Sequence, residues 1–190
     1  MFRPKWLLAS FVVACASPAL VLADTYKIDP DHTYPSLEVP HMGISTFRGK
    51  FTKSSGKVAL DRAARTGTVE VEIDASSVDF GHAKLKEHLL SKDFLNVEKY
   101  PTITYKGTLQ FDGDAPTAVD GQLTLLGVSK PVKLKVNSFK CIDHPFYKKE
   151  VCGADAEGEF HRGDFGMTHY ADGELGNVKV RIQVEAIKEG

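Results

Sequence analysis

From residue 24 onward, apolar and polar residues alternate in short runs separated by Gly, Asp, Asn and Pro, the pattern of antiparallel strands that each hide one face. The clearest runs are residues 68–74 (Thr-Val-Glu-Val-Glu-Ile-Asp), 102–111, 132–136 and 177–185. In the last of these, Val178, Val180, Ile182 and Val184 share one face, and Lys179, Arg181, Gln183 and Glu185 the other. Weaker runs at residues 26–28, 36–41, 47–51, 56–60, 121–125 and 152–160 bring the strands to eight or more. So many one-sided strands predict an all-β sandwich or closed barrel, and alternation alone leaves the two open, since both give each strand one apolar face.

Residues 82–91 depart from that rhythm. They lack period-two alternation and set Leu85, His88 and Leu89 together at helical spacing, which predicts a short helix inside the β pattern.

Ahead of the strands, Arg3 and Lys5 precede an apolar stretch, then Ser17-Pro18 and the small-residue ending Val21-Leu22-Ala23. That layout predicts a secretory signal peptide over residues 1–23 and one exported domain over residues 24–190. The apolar stretch is shorter than the roughly 20 residues a membrane span needs, so the protein is not expected to span a bilayer. A second reading takes Val12-Val13-Ala14-Cys15 as a degenerate lipoprotein signal, with Cys15 lipidated. The 24 basic and 25 acidic side chains nearly cancel, and losing Arg3 and Lys5 makes the mature chain slightly more acidic. Nothing in that balance suggests nucleic acid.

Cys141 and Cys152 remain after the leader is removed. In an oxidising compartment they are expected to form a disulfide that staples two neighbouring strands. The alternative is a zinc site drawing on Cys141, His144, Cys152 and His161, although their spacing follows no standard pattern.

The inward parity comprises Leu37, Val39, Val69, Val71, Ile73, Ile103, Tyr105, Leu109, Phe111, Leu123, Leu125, Val132, Leu134, Val136 and the last-strand set. It is almost purely apolar, so it is either a packed core or the wall of an oily cavity, and packing statistics favour the core. No G-x-S-x-G, H-E-x-x-H, P-loop or C-x-x-C motif is present, and no enzyme is expected. His41 continues an inward apolar parity, so it either bonds a neighbouring backbone group or Tyr, or meets a ligand headgroup at a cavity rim. His88, on the apolar helix face, either caps the core or sits at an opening.

Several stretches resemble the YceI family of bacterial periplasmic proteins, the polyisoprenoid-binding or lipid-binding YceI-like proteins. They are Tyr26-Lys-Ile-Asp-Pro-Asp-His32, Val39-Pro-His-Met-Gly43, Gly49-Lys-Phe51, His88-Leu-Leu-Ser-Lys-Asp-Phe-Leu-Asn96 with Tyr100-Pro101, and Gly121-Gln-Leu-Thr-Leu-Leu-Gly-Val-Ser-Lys-Pro-Val132. The resemblance covers nearly the whole mature chain. It implies a lipocalin-like antiparallel eight-stranded β-barrel with a helical excursion, holding an isoprenoid chain along its lumen.

On that implication the chain is a periplasmic, cofactor-free binding protein that transports, stores or sequesters a polyisoprenoid or quinone-like molecule. Leu37, Val39, His41, Val71, Ile73, Ile103, Tyr105, Leu123, Leu125 and Leu134 are the expected ligand-lining residues, and His41, His88 and Phe94 the candidates for headgroup contact at the mouth. Leu85 and Lys86 stand where relatives commonly carry an Arg-Asp pair, which leaves the headgroup open. Two alternatives remain: an enzyme acting on an isoprenoid lipid through His41 with His88 or Asp93, and a filled structural or stress-related barrel without ligand.

Overall fold

The computed structural model describes residues 23–190, so the expected leader, apart from Ala23, and Cys15 lie outside the described residues. The strands are β1 (Asp24–Ile28), β2 (Tyr34–His41), β3 (Ser45–Phe51), β4 (Ser54–Asp61), β5 (Thr66–Asp74), β6 (Val78–Asp79), β7 (Thr102–Asp112), β8 (Ala115–Leu125), β9 (Val128–Asp143), β10 (Glu150–His161) and β11 (Asn177–Lys188). A single α-helix, α1 (Ala83–Leu90), follows β6.

All pairings are antiparallel, and β1 meets β11 to close a ring. The ring has eight staves, because three of them are strands broken in the middle. β1 and β2 lie end to end along β11, with Ile28 opposite Ala186 and Tyr34 opposite Gln183. β4 pairs with β1 and β3 with β2; β5 then pairs with β4 and β6 with β3. The fold is therefore the expected antiparallel eight-stranded barrel, its staves joined in sequence order, with longer connections over residues 80–101 and 162–176.

The three breaks lie side by side, and their freed backbone groups need partners. Four buried polar residues, Asp29, Thr33, Ser54 and Ser77, supply them. The Thr33 hydroxyl bridges the Glu185 carbonyl and amide, and Ser54 Oγ donates to the Thr33 carbonyl at 3.1 Å. Ser77 Oγ accepts from the Lys53 amide at 3.1 Å. Burial works against the charge on Asp29. Hydrogen bonds from His32, the Asp31 amide and Tyr147 outweigh it and hold the carboxyl below its ordinary value.

One irregularity decides where the cysteines point. On β9, Val132, Leu134 and Val136 face inward, and strict alternation would turn Cys141 outward. The β9–β10 register shifts so that Ser138 opposes Asp155 and Val136 opposes Ala156, leaving Asn137 as an extra residue. That bulge reverses the parity and brings Phe139 and Cys141 to the inner side. Cys141 then faces Cys152, and the two form the expected disulfide.

The predicted helix forms over residues 83–90. The His82 ring caps its first turn, Nδ1 accepting from the Leu85 amide at 3.2 Å. Among the described residues no helix is long and apolar enough to cross a membrane.

Candidate functional site: an apolar lumen with a polar mouth

The ring encloses a cavity of about 770 Å³ walled by the inward side chains of every stave. Eight strands give a bore wide enough for side chains to fill or for one small ligand to occupy, and here space remains.

Two tyrosines of this wall, Tyr105 and Tyr26, bond their hydroxyls to protein partners. Tyr105 lies flat against β8, its hydroxyl donating to the Val132 carbonyl at 2.8 Å. Gly121 makes room for it, since a Cβ there would stand 2.3 Å from the phenol ring. Tyr26, almost wholly buried, sits on the floor and donates to Glu150 at 2.5 Å; Arg62 holds the other carboxylate oxygen at 2.8 Å. Burial first, then the Glu150 contact, raises the Tyr26 hydroxyl far above its ordinary pKa, while the Tyr26 and Arg62 bonds lower that of Glu150. Among the described residues no buried side-chain nitrogen or oxygen lacks a partner.

The other end of the barrel is the mouth. The β2–β3 hairpin, α1, the segment after it and the loop over residues 162–176 surround it. His41 stacks on Phe47 with ring centres 4.1 Å apart, and Phe47 meets the edge of Phe80. Leu85 and Leu89 turn the apolar face of α1 toward the cavity, with His88 beside them on the rim. Phe94 is buried with the His88 ring 4.5 Å from its own. Met42 reaches the cavity while remaining 74% exposed, so the rim is apolar as well as the wall.

Residues 26–186 match the YceI-like domain. The chain belongs to the YceI-like family. A UPF0312 protein of Shewanella denitrificans is 36% identical over 192 residues, covering 97% of this chain and 99% of that protein. Protein YceI of Escherichia coli O17:K52:H18 is 33% identical over 184 residues, 95% of each chain. Among solved structures, BcnA of Burkholderia cenocepacia aligns with a TM-score of 0.67 at 21% identity, over 84% of this chain and 99% of that one. A polyisoprenoid binding domain from Saccharophagus degradans, implicated in plant cell wall breakdown, aligns with a TM-score of 0.64 at 14% identity, over 89% and 100%. These two structures share the YceI-like fold.

In this YceI-like barrel Leu37, Val39, Val71, Ile73, Ile103, Tyr105, Leu123, Leu125 and Leu134 all lie on the cavity wall, and His41, His88 and Phe94 lie at its rim. His41 stacks on an aromatic ring, a contact that neither of its two sequence readings contains. Phe111, of the inward parity by sequence, packs against the core without lining the cavity; the β7–β8 register shift beside it leaves Thr117 of β8 as the extra residue and the alternation of β7 intact. The zinc alternative fails: Cys141 and Cys152 are bonded to each other, and His161 Nδ1 accepts from the Gly163 amide. Asp29, His32 and Glu185 bring ligand-type atoms within 4.8 Å of one another, but Asp29 is already engaged by His32 and Tyr147 as part of the seam between broken strands.

Sequence reasoning missed Arg162. It is 7% exposed, reaches the cavity, and donates to the carbonyls of Met167, His169 and Tyr170. The segment Phe160-His-Arg-Gly-Asp-Phe-Gly-Met167 carries no period, and only the loop folding back on itself buries the guanidinium.

Proposed function

We propose that this protein is exported through its leader and holds one long lipophilic molecule, of the polyisoprenoid or quinone-like class, in the barrel lumen for transport, storage or sequestration. The observation that carries this reading is the apolar cavity of about 770 Å³, open at the mouth, whose wall residues Tyr26 and Tyr105 give their hydroxyls to Glu150 and the Val132 carbonyl. Such a lumen offers a ligand burial without hydrogen bonding, and so selects a hydrocarbon tail. An isoprene unit has five carbons, and at about 0.8 kcal/mol per methylene-sized group each buried unit contributes a few kcal/mol. Several units approach the practical ceiling of about −18 to −21 kcal/mol before the cost of ordering the tail. The work is binding rather than chemistry.

The family and the fold shared with a polyisoprenoid binding domain support the reading. The disulfide supports export, since such bonds persist in oxidising compartments. Native mass spectrometry of protein purified from its own periplasm tests both points. We expect a chain beginning at Asp24 that carries a noncovalent adduct with an isoprenoid-type mass. A chain that never carries a lipophile, or one that starts at a lipidated Cys15, overturns the corresponding part.

A further inference from the structure

Five polar or charged residues are buried among the described residues, and four of them brace the seam of broken strands. The fifth, Arg162, is different in kind: it carries a permanent charge, and it stands at the mouth. No carboxylate pairs with it among the described residues, and burial pulls its pKa down with no neighbouring charge acting against that pull. An uncompensated buried cation is costly. Three carbonyls take three of its five N–H donors, leaving the remainder of the fork for another acceptor.

Its surroundings fit an anion that arrives with a lipid. The guanidinium carbon lies 5.9 Å from the centre of the Phe94 ring, so charge and apolar wall meet at one point. His88 packs on the same ring, and His169 stands 6.2 Å from it, tempered by Asp93 at 3.7 Å. We infer that Arg162 is the seat of an anionic headgroup, a carboxylate or phosphate ester, on the molecule whose tail fills the lumen. This rests on the lumen-binding reading and adds the headgroup class to it. A planar fork matches either anion in two-point fashion.

The test is calorimetric titration with geranylgeranyl phosphate, geranylgeraniol and inorganic phosphate. The wild-type protein is expected to bind the phosphate ester about tenfold or more tighter than the alcohol, the size of one charge-assisted hydrogen bond, and to bind inorganic phosphate far more weakly than the ester. Arg162→Met should remove the preference for the ester over the alcohol, and Arg162→Lys should keep part of it. Equal wild-type affinities for ester and alcohol overturn the inference and leave the lumen reading standing. A preference that survives in Arg162→Met moves the seat elsewhere and overturns the assignment. Inorganic phosphate binding as tightly as the ester makes this a free-anion site and overturns the headgroup. Binding of neither lipid overturns the lumen reading and this one together. Should Arg162→Met fail to fold, the wild-type comparison and Arg162→Lys still decide.

Discussion

Cys141 and Cys152 stand directly opposite one another on β9 and β10 with Cα atoms 4.0 Å apart, on the inner side of the barrel, because Asn137 is bulged out of the ladder between them and Val136. The bond closes a short loop, and chain-entropy reasoning assigns such a closure about 3 kcal/mol. Cys141→Ala with Cys152→Ala should lower the unfolding free energy by about that amount, read from a lower urea midpoint, without abolishing the fold. Deleting Asn137 removes the extra residue, so Val136 should still oppose Ala156, Ser138 still oppose Asp155, and Cys141 still face Cys152 in a now regular ladder with the disulfide kept. A thiol assay on unfolded protein checks it, and two free thiols in the deletion variant contradict the assignment of Asn137 as the extra residue.

The lumen predicts opposite behaviour from neighbouring positions. Val71 and Leu125 are on the wall, while Glu72 and Thr124 face outward, Thr124 bonding Ser129 across the hairpin. Val71→Trp and Leu125→Trp should fill the tail's space and abolish lipophile binding with the fold kept. Glu72→Trp and Thr124→Trp should bind normally. In a filled barrel an inward Trp costs about 1–3 kcal/mol in overpacking, so unfolding of both inward variants, with no copurifying lipophile in the wild type, speaks for a solid core. Trp6 is the single Trp of the sequence, so in residues 24–190 the new indole reports its own surroundings.

Gly121→Ala should destabilise the barrel by about 1–3 kcal/mol through collision with Tyr105. The same substitution in a Tyr105→Leu background should cost clearly less. Equal costs in both backgrounds, measured by urea unfolding, would show that the ring does not need that gap.

Glu150 ties the floor to solution pH. Hydrogen bonds from Tyr26 and Arg62 lower its pKa in the folded state. Its contribution is therefore complete above the ordinary carboxylate range and disappears as pH falls through the depressed folded value. Glu150→Gln should destabilise the protein near neutrality, and the gap to wild type should shrink at about pH 3. A gap that does not change with pH would mean that packing, not charge, is what Glu150 provides.

Much of this was legible in the sequence wherever the period held. The alternation in residues 68–74 and 177–185 placed Val71, Ile73 and the last-strand valines on the wall because nothing in those strands interrupts the pleat. It would have failed at Cys141, since the extra residue Asn137 leaves no period of its own and flips everything beyond it. The broken staves were visible as separate short strands. That β1 and β2 are halves of one stave follows only from their shared partner β11. Arg162 was illegible for a different reason: a lone Arg after a strand reads as surface, and its burial depends on carbonyls five to eight residues later.

The seam of broken strands divides the barrel mechanically. On the floor side the backbone ladder runs unbroken around the circumference, through β1, β4, β5 and β7 to β11. On the mouth side, among the described residues, no ladder joins β6 to β7, and α1 with the chain after it spans that interval by side-chain packing. Widening the rim there requires no interstrand hydrogen bond to be given up, so amide exchange should be slowest in a hoop at the base and fastest in residues 80–101. The molecule is then a cup with a hooped foot and a split lip, able to admit a bulky guest while its foot stays wound.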